Sequence, residues 1–321
     1  MRIHDGVLRV LACATLAVAA GLLRADDAAP ARKTSPAGSL SVVFVGDVML
    51  DNGPGHAIAA GRDPFAACAD LLLDADFTVG NLECVLGRAG TLAHKAYVFR
   101  AATDSPRHLA RYFTAVSLGN NHAFDFGPEG LVECLDILDR ESIGRFGAGR
   151  TPAEARRPLV LEKDGLRVAL LAANGFRADE YAATDTRAGV APLREADLLA
   201  DIAAARDRAD VVIPYVHWGD ELVAEPLAAD RALARRMVEA GAAAVIGGHP
   251  HVTQTVDVHR GAPIVYSLGN FVFDYYPVDP PEWTGWVVKL TFAKGAPVAV
   301  ETRAVVLDPA GLPRPVVATE P

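Results

Sequence analysis

The chain has 321 residues, 51% of them hydrophobic, and a formal net charge of −9 at pH 7. This length and composition can bury a large core, and they suit one large α/β domain or two small ones. The acidic balance argues against a general nucleic-acid-binding protein, which needs a basic face, so we expect no nucleic-acid partner.

The first 25 residues have the layout of a secretory signal peptide. Arg2 and Arg9 flank the start of an apolar run from Val10 to Leu23, and the small residue Ala25 offers a cleavage site. The run is shorter than the roughly 20 residues that a membrane-spanning helix needs. We therefore predict cleavage after Ala25 and an extracytoplasmic location, whether periplasmic, secreted or on the outer face of the membrane. An uncleaved N-terminal anchor is the alternative.

The remaining sequence predicts a short leader, one domain and a short tail. Residues 26–38 are rich in Ala, Pro and Asp, which is typical of a flexible leader. No repeat and no clear boundary interrupts residues 39–315, which we predict to form a single domain, followed by a tail over residues 316–321. Cys68, Cys84 and Cys134 lie in this domain, and their odd number is not a disulfide framework. Buried apolar thiols are the favoured interpretation, and one disulfide pair is the alternative.

From Leu40 onwards, short apolar runs alternate with helical segments, which indicates βαβ units and a mainly parallel sheet. The predicted strands cover residues 40–45, 76–79, 115–118, 159–161, 167–172, 211–216 and 243–246. The predicted helices cover residues 63–73, 105–112, 130–140, 193–208 and 227–240, and residues 174–189 predict a loop. The apolar runs at 263–268, 284–292 and 298–307 have no helix between them, so we expect antiparallel strands that close a second sheet.

Five apolar runs lead directly into metal-ligand or acid–base side chains, with glycine at the junctions. In sequence they are SVVFVGD, FTVGNLE, AVSLGNNH, VVIPYVHWGD and AVIGGHPH. Polar groups at the carboxyl ends of strands in an open α/β sheet converge on one crevice, so five segments can build one site. The candidate ligands and acid–base groups that they supply are Asp47, Glu83, Asn121, His122, His217, His249 and His251.

The segment Gly247-Gly248-His249-Pro250-His251 is the most informative of the five. Proline biases the residue before it towards extended backbone, and in an extended segment residues two apart face the same side. We therefore expect the two histidines to point into one pocket. A lone histidine after a strand is more often a packed core or surface residue, and this is the alternative for His217.

The donor types Asp, Glu, Asn and His, without Cys, favour a particular class of metal site. They suit Mn, Fe or Zn better than a thiolate structural zinc site or an all-oxygen calcium site. We therefore expect one or two divalent metal ions. Two such ions, about 3.5–4 Å apart, can activate a water molecule and hold a phosphoryl oxygen.

The order GD, GNxE, GNNH, HWG and GHPH, followed by YSLGNF, resembles the CapA (PgsA) family of capsule and poly-γ-glutamate synthesis proteins. That family belongs to the calcineurin-like metallophosphoesterase superfamily, and the resemblance runs from SVVFVGDVML through PIVYSLGNFVFD. It implies a four-layer α/β/β/α sandwich, with a mainly parallel core sheet, antiparallel C-terminal strands and the site at the strand tips.

The resemblance also implies a role for each candidate residue. His122 would donate a proton to the leaving oxygen or stabilise the transition state, and the role as acid suits the titration range of imidazole. The implied metal ligands are Asp47 and His251 at a first ion, Glu83 in the bridging position, and Asn121, His217 and His249 at a second ion.

One departure from the superfamily pattern concerns the first metal. The superfamily opens with Asp-x-His, whereas Asp47 is followed by Val48 and Met49, so this ion loses a ligand. Asp51 is a candidate substitute. Asn81 and Asn270, which also follow apolar runs with glycine, are candidates for the rim of the crevice.

Two functional hypotheses follow. The first is an exported, CapA-like, metal-dependent hydrolase that acts on a phosphoester or another envelope-polymer bond, with an anionic polymer or a phosphoester as substrate. The second is a non-catalytic binding or assembly subunit of a membrane polymer synthase and export machinery, which the missing histidine favours. A nucleotidase of the same superfamily is a third alternative.

Overall fold

The structure is a computed structural model that describes residues 31–274 and 283–316. The predicted signal peptide and most of the predicted tail lie outside the described residues. Part of the predicted flexible leader is described, and it lies against the domain: Arg32 Nη2 donates to the Tyr112 carbonyl oxygen (2.7 Å) and the Ser35 N–H donates to Asp76 Oδ1 (3.0 Å).

The strands of the described residues are β1 (Ser39–Val48), β2 (Phe77–Leu82), β3 (Ala115–Ser117), β4 (Gly144–Phe146), β5 (Ala148–Gly149), β6 (Leu159–Lys163), β7 (Leu166–Asn174), β8 (Gly189–Val190), β9 (Val211–His217), β10 (Val245–Gly248), β11 (Val256–His259), β12 (Ala262–Val265), β13 (Asn270–Val272), β14 (Thr284–Ala293), β15 (Ala299–Leu307) and β16 (Pro313–Pro315). The helices are α1 (Asn52–Ala59), α2 (Ala69–Leu72), α3 (Ser105–Tyr112), α4 (Gly127–Arg140), α5 (Pro152–Ala155), α6 (Ala178–Tyr181), α7 (Glu195–Ala205) and α8 (Ala228–Ala240).

Two large sheets organise the chain. The first has the order β16-β15-β14-β1-β2-β3-β4, and β13 pairs with the end of β1. Strands β1 to β4 are mutually parallel, whereas β14, β15 and β16 are antiparallel. The second sheet has the order β11-β12-β10-β9-β7-β6, with parallel strands in the centre and antiparallel β6 and β11 at its edges. The predicted α/β class with a mainly parallel core is confirmed.

The alternation of side chains along the strands produces four layers. In β1, Phe44 packs between the two sheets, whereas its neighbour Val45 packs against the layer that contains α1 to α4. In β7, Leu170 lies between the sheets and Leu171 packs against α7 and α8. Each sheet therefore buries both faces, one on the other sheet and one on helices, as a period of two along a strand requires. This is the α/β/β/α sandwich that the resemblance implied.

The placement of the C-terminal strands was predicted wrongly. Strands β14 and β15 do not close a second sheet; they extend the first, because β14 pairs antiparallel with β1 along its open edge. Strand β1 is the first of the described strands, and without β14 its backbone groups on that side would lack partners. Strand β12 belongs to the second sheet, where it pairs in parallel with β10.

Two predicted segments differ in detail from the structure, and one helix was not predicted. The helix expected over residues 63–73 is a short 3₁₀ turn (Ala66–Cys68) followed by α2, and the loop expected over residues 174–189 contains α6. Helix α1 was not predicted because NGPGHAIA is rich in helix-breaking residues. It forms because Asp51 caps its first turn, where the Asp51 side chain accepts the Asn52 N–H.

The favoured interpretation of the cysteines is confirmed. Cys68, Cys84 and Cys134 are buried and free. Burial raises the pKa of the Cys68 and Cys134 thiols to about 12, which keeps both protonated and unreactive. Within the described ranges, 31–274 and 283–316, no helix combines the length and apolarity needed to cross a membrane.

Candidate metal centre

The structure brings the candidate residues of both sheets together at the carboxyl ends of the strands. The first sheet contributes residues from β1, from the end of β2 and from the loop after β3, and the second contributes residues from β9 and the loop after β10. The imidazole rings of His217 and His249 lie 4.6 Å apart between centroids, and those of His249 and His251 lie 6.1 Å apart. The members are all buried: Asp47, Asn81, Glu83, Asn121, His122, His217, His249, His251 and Asn270.

Two glycines allow this convergence. A Cβ on Gly46 would lie 1.9 Å from the Gly269 carbonyl oxygen, so only glycine lets β1 and the start of β13 approach so closely. A Cβ on Gly248 would lie 3.0 Å from Asp47 Oδ1. The glycines at the strand ends therefore clear the space into which the neighbouring ligand side chains project.

Glu83, His249 and His251 form the set best arranged to hold a metal ion. Each offers one donor atom, and these atoms lie within 4.8 Å of one another. Within the described part of the chain, neither carboxylate oxygen of Glu83 nor Nδ1 of His249 has a hydrogen-bond partner. His217 Nε2 approaches Glu83 Oε1 at 3.3 Å, but not in hydrogen-bond geometry. Buried polar atoms without partners are costly, and a bound cation would satisfy all three.

The protonation of this set also suits a cation. Burial raises the pKa of Glu83 well above its ordinary value, and the charge of Asp47 adds to the rise. Burial lowers the pKa of His249 to about 3, and the nearby His251 lowers it further. In the metal-free centre these shifts disfavour the charged forms of both the Glu83 carboxyl group and the His249 imidazole, and a divalent cation would instead stabilise the Glu83 carboxylate.

Asp47 and Asn270 orient His251. The His251 Nδ1 lies 2.9 Å from Asn270 Oδ1 and 3.3 Å from Asp47 Oδ2. A proton on Nδ1 that is shared with these oxygens leaves the lone pair on Nε2 for a metal ion. Burial lowers the pKa of His251, but the hydrogen bond to Asp47 and its charge outweigh burial, so the net shift is upward. Asn270 was expected at the rim; it is instead a buried partner of a candidate ligand.

The backbone of the His249-Pro250-His251 segment is not extended, contrary to the prediction. His249 has φ +97° and His251 has φ +59°, in the region that side chains other than glycine rarely adopt. Hydrogen bonds that hold the segment include those from the Leu222 N–H to the Pro250 carbonyl oxygen (2.8 Å), from the His249 N–H to Asp47 Oδ2 (3.4 Å) and from Asn270 Nδ2 to the His251 carbonyl oxygen (3.3 Å). The rings converge because of this tight loop. Backbone strain of this kind concentrates at functional sites.

Asn81 lies in the centre of the site rather than at the rim where it was predicted. Its Nδ2 donates to Asp47 Oδ1 at 2.9 Å and lies 3.3 Å from His217 Nδ1. Its Oδ1 accepts from Asn120 Nδ2 at 2.9 Å. On the other side of the ring, His217 Nε2 lies 2.7 Å from Asn121 Oδ1. Three of the predicted ligands, Asp47, Asn121 and His217, are therefore already hydrogen-bonded to one another or to amides.

His122 belongs to a second group of polar residues that the sequence only partly revealed. Its Nδ1 lies 2.8 Å from Asp125 Oδ2, which also accepts the Phe99 N–H at 2.7 Å. Lys95 forms an ion pair with the other oxygen of Asp125, and it donates to the Asn121 carbonyl oxygen at 2.9 Å. Burial lowers the pKa of His122, although Asp125 raises it. Neither Asp125 nor Lys95 was predicted; the spacing NHAFD, with an acid three residues after the histidine, was the available signal.

Asp51 does not replace the missing ligand. Its Oδ1 accepts the Asn52 N–H at 2.8 Å, and its Oδ2 accepts the Arg100 N–H at 2.7 Å. Both oxygens are therefore used to cap α1 and to hold the strand-like segment near Arg100. The prediction that Asp51 turns into the centre is not supported by this geometry.

Comparison with known proteins identifies the family. Residues 41–275 match the family described as bacterial capsule synthesis protein PGA_cap. The chain belongs to this family. It is 32% identical over 251 residues to the PGA biosynthesis protein CapA of Bacillus subtilis, a match that covers 76% of this chain and 66% of the relative. It is 29% identical over 272 residues to the capsule biosynthesis protein CapA of Bacillus anthracis, covering 81% of this chain and 66% of the relative.

The fold of this PGA_cap chain is similar to that of a solved 5'-nucleotidase. It is similar to the crystal structure of a 5'-nucleotidase precursor from Thermus thermophilus, with a TM-score of 0.51 and 16% sequence identity. The match covers 86% of this chain and 56% of that protein. The chain thus spans just under two thirds of the curated relatives and little more than half of the nucleotidase.

Glu83→Gln tests whether the buried Glu83 carboxyl group lowers the stability of the metal-free protein. The folded-state pKa of Glu83 is raised, so its ionisation does not reduce the stability of the wild-type protein below the unfolded-state carboxyl pKa of about 4.3. As the pH rises from there towards the folded-state pKa, the wild-type protein loses stability. We expect the metal-free variant to be more stable than wild type at pH 8 by about 1–3 kcal/mol, since it buries no unpaired charge. Urea unfolding at pH 4 and pH 8 measures this, and Glu129→Gln on α4 is the control. A variant less stable than wild type at pH 8 would contradict it.

Proposed function

We propose that this protein is a metal-dependent hydrolase in the production of bacterial capsule or poly-γ-glutamate, and that it cleaves a phosphoester or another bond of an envelope polymer. The observation that carries the proposal is the buried Glu83 carboxylate, which has no hydrogen-bond partner among the described residues and lies beside His249 and His251. Family membership supplies the biological context, because two relatives are named for capsule and PGA biosynthesis.

The donor set fits a divalent transition metal, with Mn, Fe or Zn as the candidates. One carboxylate and two imidazoles without thiolate are typical ligands of these ions. When bound, such an ion supplies Lewis-acid chemistry: it polarises a phosphoryl or carbonyl oxygen and increases the acidity of water. Glu83, His249 and His251 would hold it, with Asp47 and Asn270 fixing the His251 ring from behind.

His122 is the residue that we assign to proton transfer. The Asp125 carboxylate accepts from Nδ1, so in the neutral ring Nε2 carries the lone pair that takes or returns a proton. The Phe99 ring, 4.5 Å from the His122 ring, and the Lys95 ion pair hold this arrangement. The charge of His251 lowers the pKa of His122, and the charge of His122 lowers the pKa of His217. His122 thus lies near the metal centre, which supports its role in proton transfer.

Two single variants separate metal binding from proton transfer. We expect His249→Ala to lose the bound metal, because one of the three ligands is removed, and to lose hydrolysis with it. We expect His122→Ala to keep the metal and to lower the rate of phosphodiester hydrolysis by about 10²–10⁴-fold. Metal analysis by mass spectrometry and an assay with bis(p-nitrophenyl) phosphate measure both, and His259→Ala, at a partly exposed histidine on β11, is the matched control. Wild-type protein that binds less than one ion per chain and has no activity would refute the proposal.

A second candidate function, a non-catalytic assembly subunit of a membrane polymer synthase, has one observation in its favour. The amide of Asn81 already forms hydrogen bonds with Asp47 and His217, two of the predicted metal ligands, as expected of a site that has lost a metal ion. Complementation separates the two functions. If a His122→Ala, His217→Ala double variant restores polymer output in a deletion strain, the assembly role replaces the enzymatic one. Catalysis requires that output stays low while the protein accumulates to the wild-type level.

We further propose that the protein acts outside the cytoplasm. The support is the sequence of residues 1–25, which combines basic residues, an apolar run and a small residue at the cleavage position. We expect the protein recovered from cells to begin at Asp26, as measured by N-terminal sequencing, and to appear in the extracytoplasmic fraction. A cytoplasmic protein that retains Met1 would overturn this assignment.

A further inference from the structure

The amide group of Asn81 occupies the space between a carboxylate and an imidazole. Its Nδ2 lies 2.9 Å from Asp47 Oδ1 and 3.3 Å from His217 Nδ1. The two amide hydrogens can each be directed to one of these acceptors. A carboxylate oxygen and an imidazole nitrogen that face one point are a typical pair of metal ligands, and here the point is filled by an NH₂ group.

The orientation of the Asn81 amide is fixed by the backbone. Asn120 Oδ1 accepts two backbone N–H groups, from His122 at 3.0 Å and from Ala123 at 2.8 Å, so its oxygen and nitrogen cannot be exchanged. Asn120 Nδ2 must then donate, and it donates to Asn81 Oδ1 at 2.9 Å and to the Leu82 carbonyl oxygen at 2.9 Å. Asn81 therefore presents its NH₂ group, not its oxygen, to Asp47 and His217.

This orientation also fixes the tautomer of His217. Nδ1 faces an amide donor, so it carries the lone pair, and the proton of the neutral ring lies on Nε2. Nε2 is 2.7 Å from Asn121 Oδ1, which accepts that proton. For His217 to bind a metal through Nε2, the proton would have to move to Nδ1, where it would face the amide hydrogens of Asn81. Asn121 and His217 are thus engaged with each other, and the ring is held as a hydrogen-bond donor.

We propose that Asn81, held by Asn120, takes the place of a second cation between Asp47 and His217 and limits the centre to one divalent ion at Glu83, His249 and His251. This inference rests on the proposed function, since it concerns the number of ions in the same centre. It assigns Asn81 a positioning role, with Asp47 supporting His251 and His217 donating a hydrogen bond.

Metal stoichiometry tests the inference with Asn81→Asp, which replaces the donor by an acceptor of the same size. We expect wild type to bind one Mn²⁺ per chain and Asn81→Asp to bind two, because two carboxylates and a freed imidazole then face one point. Isothermal titration calorimetry with Mn²⁺ alone, and metal analysis after dialysis, count the ions. Asn174→Asp is the matched control, a buried asparagine at the end of β7 whose side chain bonds to the backbone of Phe176. It should bind one.

The outcomes are distinguishable. Two ions in wild type, or one ion in a folded Asn81→Asp variant, would overturn this inference and leave the proposed metal centre standing. No ion in wild type would overturn both. If Asn81→Asp does not fold, ¹⁵N-histidine NMR of metal-free wild type decides: an Nε2-protonated His217 supports the inference, and an Nδ1-protonated His217 refutes it.

Discussion

The rest of the centre depends on the burial of the Glu83 carboxylate without a compensating donor in the described chain. A buried charge of this kind is usually paired or neutralised, whereas Glu83 lies beside the imidazoles of His217 and His249, whose pKa values are lowered, and forms no hydrogen bond with either ring. Lys95, whose charge acts on Glu83, is instead bound to Asp125. The fold therefore maintains an electron-rich cavity, which is unfavourable for the metal-free protein and favourable for a cation.

This cavity exists only when the two sheets are packed together. Glu83 and Asp47 belong to the first sheet, whereas His217 and the His249-Pro250-His251 loop belong to the second. The sheets are joined by an apolar core that includes Phe44 and Leu170, and by the Tyr215 hydroxyl, which donates to the Val45 carbonyl oxygen at 2.9 Å. Ligand geometry is therefore coupled to the packing between the sheets. A metal ion bound by residues of both sheets would in turn stabilise that packing.

The sequence was sufficient for the parts of the structure that depend on periodicity and strand ends, such as the buried strands β1 and β7 and the glycine junctions that lead into the site. It was not sufficient where a distant partner decides the outcome, as in the pairing of β14 with β1. Asn81 and Glu83 lie two residues apart in the sequence, which predicted Glu83 as a metal ligand and Asn81 as a rim residue; only their hydrogen bonds show what each does in the centre. Asn120 turns the Asn81 amide towards Asp47 and His217, whereas the described structure leaves Glu83 beside imidazoles without a donor. An amide NH₂ group that donates hydrogen bonds disfavours a cation in front of it, whereas a carboxylate that can only accept favours one.

The missing histidine after Asp47 favoured a non-catalytic role, whereas His122 with Asp125 favoured catalysis. The two observations are compatible if the centre holds a single ion. A single ion at Glu83 and two histidines needs no contribution from Asn121 or His217, so these can be used for hydrogen bonding. The paired His122 and Asp125 are connected to that hydrogen-bonded group through Lys95, which contacts both Asp125 and the Asn121 carbonyl oxygen. An Asp–Lys pair whose carboxylate is buried and that holds an imidazole in one orientation costs desolvation energy, and packing alone does not require it. Its presence beside the cavity favours a centre that performs chemistry over one that only binds.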